Sequence, residues 1–197
     1  MKGTWDSDRD PLVALQAGNP GLYEDFVSLE STTFLAFFRR IGASRSEAED
    51  LVQDVFLKMF RNVSTYQPSG RFEAYAFRVA RNAWIDRQRR RAARPRLVGS
   101  GRDEEDERSL LETAAEMPSP RLVAEQKEEA GRVQAALDHL SEGHRLVFEL
   151  GVVQELAYSE ISRLLEIPEG TVKSRMFHAV RKLREVLEGA REGGERR

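Results

Sequence analysis

The chain contains no cysteine, which excludes a disulfide scaffold, a thiol nucleophile and a Cys-ligated zinc site. Its three histidines, His139, His144 and His178, stand apart from any metal-ligand spacing such as His-Glu-x-x-His. There is no Walker loop and no Gly-x-Ser-x-Gly, and carboxylates cluster on no folded face, so neither catalysis nor a resident metal or cofactor is expected. Long apolar runs are missing too. The longest, Phe34 to Phe38, is far too short to span a bilayer, and Met1 to Asp10 is acidic and polar rather than signal-like. The expectation is a soluble cytoplasmic protein without membrane insertion. Alternating apolar and polar runs and internal repeats are also absent, which argues against a sheet or a solenoid.

A large overall charge is a further absence: 31 basic against 33 acidic side chains leave −2 over 197 residues. The average conceals a sorted chain. Residues 61–96 hold ten basic and two acidic side chains, whereas 97–120 hold two basic and seven acidic ones. Such asymmetry suggests one segment for nucleic acid and another that avoids it, with solvated helix faces as the alternative. The acidic segment also carries Pro95, Gly99, Gly101, Pro118 and Pro120 around Asp103, Glu104, Glu105, Asp106 and Glu107. It has no period and too little apolar surface to order itself, so 95–121 reads as a flexible acidic linker.

Everything on either side of the linker reads as helix. The expected fold is all-α, with a three- to four-helix bundle over 1–94, a helix-turn-helix unit over 122–190 and a disordered tail over 191–197. Asn19-Pro20 reads as a helix start, followed by Leu22, Phe26, Leu29, Phe37 and Ile41 and stopped by Gly42. Ser46 to Glu49 matches a capping box, and Leu51, Val52, Val55, Phe56, Met59 and Phe60 then make an apolar stripe. The opposite face shows Asp50, Gln53, Asp54 and Lys58. A third helix runs from Phe72 into the arginine cluster. Beyond the linker come the stripes Val133, Ala136, Leu137, Leu140 and Leu146, Val147, Leu150. Ile161, Leu164 and Leu165 form a short helix, Glu166 to Gly170 a tight turn, and Val172, Met176, Ala179, Leu183 and Leu187 the stripe of a longer helix. That is helix-turn-helix grammar, in which the second helix enters a major groove.

Opposite that last stripe lie Lys173, Ser174, Phe177, His178, Arg181 and Lys182, with Arg175 alongside; residues 173–184 include five basic side chains and no acid. Arginine and lysine neutralise phosphates, and arginine also pairs bidentately with a guanine edge, so the face suits duplex DNA. The basic block differs because rings are interleaved: Arg71, Phe72, Tyr75, Phe77, Arg78, Arg81, Asn82 and Trp84 share one helix, Tyr66 precedes it, and Arg87 to Arg91, Arg89 among them, extends it. Rings that stack bases and arginines that follow a backbone suit a single strand. Phe72 and Phe77 are expected to be core.

Three stretches together resemble the extracytoplasmic-function sigma factors of the sigma-70 family: Ala48 to Phe56, Phe72 to Asn82, and Gly170 to Arg175 continuing to Lys182-Leu183-Arg184-Glu185. The resemblance covers about Pro11 to Leu187 and implies a set of partners. RNA polymerase core would be bound through the largest-subunit clamp helices, by the helix exposing Asp50, Gln53, Asp54 and Lys58, and through the flap of the second-largest subunit. The minus-10 promoter element would be recognised and melted by Tyr66, Arg71, Tyr75, Arg78, Arg81, Asn82, Trp84 and Arg89, with a flipped base in the loop from Ser64 to Arg71. The minus-35 element would be read by the helix from Thr171 onward. It also implies an anti-sigma partner and a linker that enters the polymerase RNA channel, a plain spacer being the alternative for the latter. The chain departs from the family in three places. Tyr75 stands where tryptophan is usual, Phe177-His178 where His-Arg is usual, and Val180 at a commonly basic position. The rival function is a helix-turn-helix repressor or activator acting alone, which leaves the first unit unexplained.

Overall fold

Asp10 starts the first helix, its side chain accepting hydrogen bonds from the backbone N–H groups of Leu12 at 2.9 Å and Val13 at 3.2 Å. The computed structural model describes residues 5, 9–69, 71–93, 131 and 133–194, with side chains to 188. The expected linker and the run Asp103 to Glu107 lie outside the described residues. Helix α1 spans Pro11–Gln16, α2 Gly21–Ile41, α3 Arg45–Arg61 and α4 Phe72–Ala93, with a 3-10 turn at Val63–Thr65 between the last two. From residue 133 onward come α5 (133–138), α6 Glu142–Phe148 running into a wide turn at Glu149–Val153, α7 Tyr158–Leu165 and α8 Glu169–Gly194. No strand occurs among the described residues, and the all-α expectation holds.

Local chemistry sets the boundaries, and several differ from the sequence expectation. Gly42 ends α2 at φ 109°, a conformation that costs glycine nothing. The capping box is formed by Ser44 and Glu47, not by Ser46 and Glu49: Ser44 Oγ accepts from Glu47 N at 3.3 Å and Glu47 Oε2 from Ser44 N at 3.2 Å. Both pairs share the Ser-x-x-Glu spacing, and the true cap is the one two residues beyond the left-handed Gly42. Helix α2 begins at Gly21, with Asn19 Oδ1 accepting from its N–H at 3.2 Å. Helix α8 takes up Glu169 and Gly170 from the expected turn and continues to Gly194, past the expected end at 190.

Seven phenylalanines, Phe26, Phe34, Phe37, Phe38, Phe56, Phe72 and Phe77, form the heart of the first unit, all 8% exposed or less. Edge-on contacts such as Phe26 with Phe72 at 5.0 Å and Phe34 with Phe56 at 5.5 Å lock their orientations. Each such burial stabilises by roughly 1.5–3 kcal/mol before entropy is counted. Phe72 and Phe77 are core as expected, while Leu29, Phe60 and Val133, assigned to apolar stripes, are 60%, 53% and 42% exposed. Helical spacing defines a face but not how far the neighbouring helix covers it.

The second unit packs directly on the first. Leu146, Leu150, Ile161 and Leu164 belong to the same apolar cluster as the phenylalanines, while Ala136, Leu137 and Leu140 pack with Ala179 and Leu183 in a smaller one. Four buried acids mark polar ties inside this architecture: Asp10, Glu30, Glu73 and Glu149. Glu30 accepts from Trp5 Nε1 at 3.0 Å, and Glu149 accepts from Arg40.

Candidate nucleic-acid interface

Helix α4 and the loop before it bring together Tyr66, Tyr75 and Arg78. The Tyr66 and Tyr75 rings lie 4.7 Å apart, and the Arg78 guanidinium sits 5.3 Å from the Tyr75 ring centre. Tyr75 and Arg78 are one turn apart, so helical spacing stacks them. With Asn62, Thr65 and Gln67 they line a cavity of about 360 Å³ that combines ring faces, amides and a cation. Tyr66 is buried and its hydroxyl donates to Asp10 Oδ2 at 2.6 Å. Burial first, and Asp10 second, push its hydroxyl well above the ordinary tyrosine range. Burial raises Tyr75 as well. Both phenols are neutral, as an ordinary tyrosine is near neutral pH, and add no negative charge to the cavity wall.

Arg71, expected to share the helix, directly precedes α4, and the remaining candidates are spread around it. Arg71 and Asn82 are exposed, as is Arg89 towards the helix end; Arg81 is half-buried, its Nη1 donating to Asn82 Oδ1 at 3.3 Å. Trp84 is only 3% exposed, its indole N–H donating to Glu142 Oε1 of α6 at 2.9 Å. Helix α7 lies against the same side of α4. Arg71 faces Glu160 at 3.7 Å, and Arg163 and Leu164 border a second cavity, of about 370 Å³, with Tyr75 and Arg78. In this arrangement the second unit covers Trp84 and one flank of the ring-and-arginine surface.

Helix α8 presents its candidates to solvent. Val172, Met176, Ala179 and Leu183 are buried, which leaves Lys173, Ser174, Phe177, His178, Arg181 and Lys182 exposed, with Thr171 half-buried. Phe177 is 62% exposed, a large ring with Arg181 6.0 Å from its centre. Lys173 pairs with Glu169 at 3.2 Å and Lys182 with Glu185 at 3.8 Å, exposed pairs worth about 0.5 kcal/mol or less that a phosphate can displace. Arg175 differs: half-buried, it lies so close over Gly143 that a β-carbon there would stand 3.2 Å from its Nη1. Beside it, the His144 imidazole is held below its ordinary value by burial, then by His178 and Arg175.

On α3, Asp50 and Gln53 are exposed and Asp54 half-buried; Arg87 Nη2 donates to Asp50 Oδ2 at 3.5 Å and Lys58 Nζ to Asp86 Oδ2 at 3.2 Å. Leu57, 49% exposed amid this polar face, was missed from sequence, although an apolar residue inside a polar stripe is itself a signal. No helix among the described residues is long and apolar enough to cross a membrane, and no group of metal-ligating side chains occurs among them.

Two family models match the chain. Residues 27–94 match Sigma-70 region 2 and residues 130–183 match Sigma-70, region 4. The chain is 31% identical over 172 residues to the ECF RNA polymerase sigma factor SigE of Mycolicibacterium smegmatis, covering 87% of this chain and 63% of that relative. It is 33% identical over 152 residues to SigL of Mycobacterium tuberculosis, covering 76% of this chain and 79% of the relative. Its fold is similar to that of the sigma factor RpoE of Bartonella quintana, with a TM-score of 0.64 at 23% identity, over 84% of this chain and 96% of the other. The chain belongs to the sigma-70 family of RNA polymerase sigma factors, within its extracytoplasmic-function group.

Proposed function

We propose that the chain binds core RNA polymerase, reads the minus-35 element with α8, and recognises and melts the minus-10 element with the loop 62–71 and α4. The observation that carries this reading is the Tyr66–Tyr75–Arg78 stack beside an open cavity. Ring faces and a guanidinium suit an unpaired base and its phosphate, whereas a protein that binds only duplex DNA needs no such surface. Asp50, Gln53, Asp54 and Lys58, with Leu57 among them, form the proposed docking face for the clamp helices of the polymerase, and the second unit is assigned to the flap. Tyr66 acts through its ring, while Arg71, Arg78, Arg81, Asn82 and Arg89 supply charge and hydrogen bonds. Trp84 becomes available to a strand only once the two units part. An anti-sigma protein is the proposed regulator, since Leu57, Phe60 and Phe177 offer apolar surface on both units; RpoE of Bartonella quintana was solved in complex with the anti-sigma factor NepR. The site of action is the cytoplasm.

Transcription with purified core polymerase tests the reading. The expected result is core-dependent initiation at promoters mapped after overexpression. A helix-turn-helix repressor gives none, and the absence of any core-dependent start would refute the assignment.

A further inference from the structure

Helix α1 lies outside both family-matched segments, and its polar side chains reach away from it. Gln16, the exposed last residue of α1, donates from Nε2 to Val63 O at 2.7 Å and to Tyr66 O at 2.8 Å. Both donor protons of one amide are thus used on the two carbonyls that bracket the 3-10 turn. At the other end, Asp10 divides its carboxylate: Oδ1 caps α1, and Oδ2 accepts the Tyr66 hydroxyl at 2.6 Å. Besides these bonds the loop is held by Tyr66, whose buried ring packs on Tyr75 at 4.7 Å, and by Val63 against the core. Ser64, Thr65, Gln67, Pro68 and Ser69 are exposed, and its backbone bonds are local, from Thr65 N to Asn62 O at 3.2 Å and from Tyr66 N to Val63 O at 3.1 Å. The other side of this loop forms the wall of the cavity lined by Asn62, Thr65, Tyr66, Gln67, Tyr75 and Arg78.

We propose that Gln16 and Asp10 are positioning residues for base selection at the minus-10 element: by fixing the 62–67 loop they let its cavity accept an unpaired base in one orientation. The inference rests on the proposed function above. Specificity is a difference between affinities, and a loop free to shift offers each base a serviceable fit, which lowers the difference without abolishing binding. Gln16 touches no DNA in this account; it acts through the two carbonyls.

The test is transcription by core polymerase with the wild-type chain, Gln16→Met and Tyr66→Phe, on templates carrying each base in turn at every minus-10 and minus-35 position. Gln16→Met keeps the length of the side chain and removes the donors at an exposed site, and Tyr66→Phe keeps the ring and removes the link to Asp10. Each is expected to reduce minus-10 discrimination by about fivefold or more, fivefold being the factor a single neutral hydrogen bond is worth, with minus-35 discrimination unchanged. Unaltered minus-10 discrimination in both variants overturns the proposal, and so does a parallel loss at both elements, the mark of a merely structural role. A wild-type chain inactive with core refutes the sigma-factor reading itself, a failure separate from these.

Discussion

Arg40 of α2 and Glu149, which ends α6, are 109 residues apart in sequence and meet in a two-pronged ion pair, Nε to Oε2 at 2.7 Å and Nη2 to Oε1 at 2.8 Å. Glu149 is 1% exposed and also accepts from Gln154 Nε2 at 2.9 Å. The carboxylate is therefore desolvated and depends on its partners. Arg40→Ala is expected to cost about 3 kcal/mol, the lower end for breaking a buried pair, because the Arg40 side chain keeps 24% of its exposure. The denaturant midpoint reads this. The double change Arg40→Met with Glu149→Leu should recover much of the loss, though not all, since Gln154 then lacks its acceptor. A double variant no better than Arg40→Ala would count against desolvation as the cause.

A second tie between the units, Trp84 to Glu142, has its own signal. Glu142→Ala removes the acceptor of a buried indole N–H, a loss of about 1 kcal/mol. Trp84 emission is expected to move to longer wavelength as the contact loosens, read against Trp84→Phe, which isolates Trp5. Unchanged emission would show that packing on α6 alone holds the ring.

The two ties also show what the sequence could and could not reveal. Helix identities and the chemical character of the candidate surfaces follow from periodicity and charge, because both are local properties of an amphipathic segment. Phe72 and Phe77 could be assigned to the core for that reason. Trp84 could not: it shares its helix with the basic candidates, and its partner Glu142 lies 58 residues away on α6. Nor could the roles of Asp10 and Gln16 be foreseen, since one polar residue at each end of a six-residue helix carries no periodic signal and their partners lie 56 and up to 50 residues away. Arg40 and Glu149 look like surface charges in sequence for the same reason.

His144 gives a pH dependence whose sign is fixed by its surroundings. Burial, then His178 and Arg175, lower it below its ordinary value of 6.5, and Ser141 Oγ lies 2.6 Å from its Nδ1. The unfolded chain therefore takes up this proton more readily than the folded one. The His144 contribution to stability is fully present above 6.5 and is lost as the pH falls from there through the lowered folded value. His144→Gln should flatten the fall in denaturant midpoint between neutral and mildly acidic pH, and an identical slope in the variant would contradict the assignment.

Lys173 and Arg175 are neighbours in sequence with opposite environments, and DNA binding should separate them. Lys173 is exposed and held only by an i,i+4 pair with Glu169, so its exchange onto a phosphate is nearly free. Lys173→Ala in the polymerase holoenzyme is expected to weaken all promoters alike and to reduce the salt slope by about one. Arg175 is half-buried and its guanidinium lies over Gly143, where an added β-carbon would stand 3.2 Å from Nη1. Arginine pairs bidentately with a guanine edge, and Arg175→Ala should cost about 1–3 kcal/mol at promoters with the matching base and little elsewhere. Gly143→Ala provides the sharper test. Its methyl would push the guanidinium aside by a few tenths of an ångström while leaving the arginine and its charge intact, so base preference should change with the salt slope constant. A uniform loss across promoters would instead make Arg175 a phosphate contact.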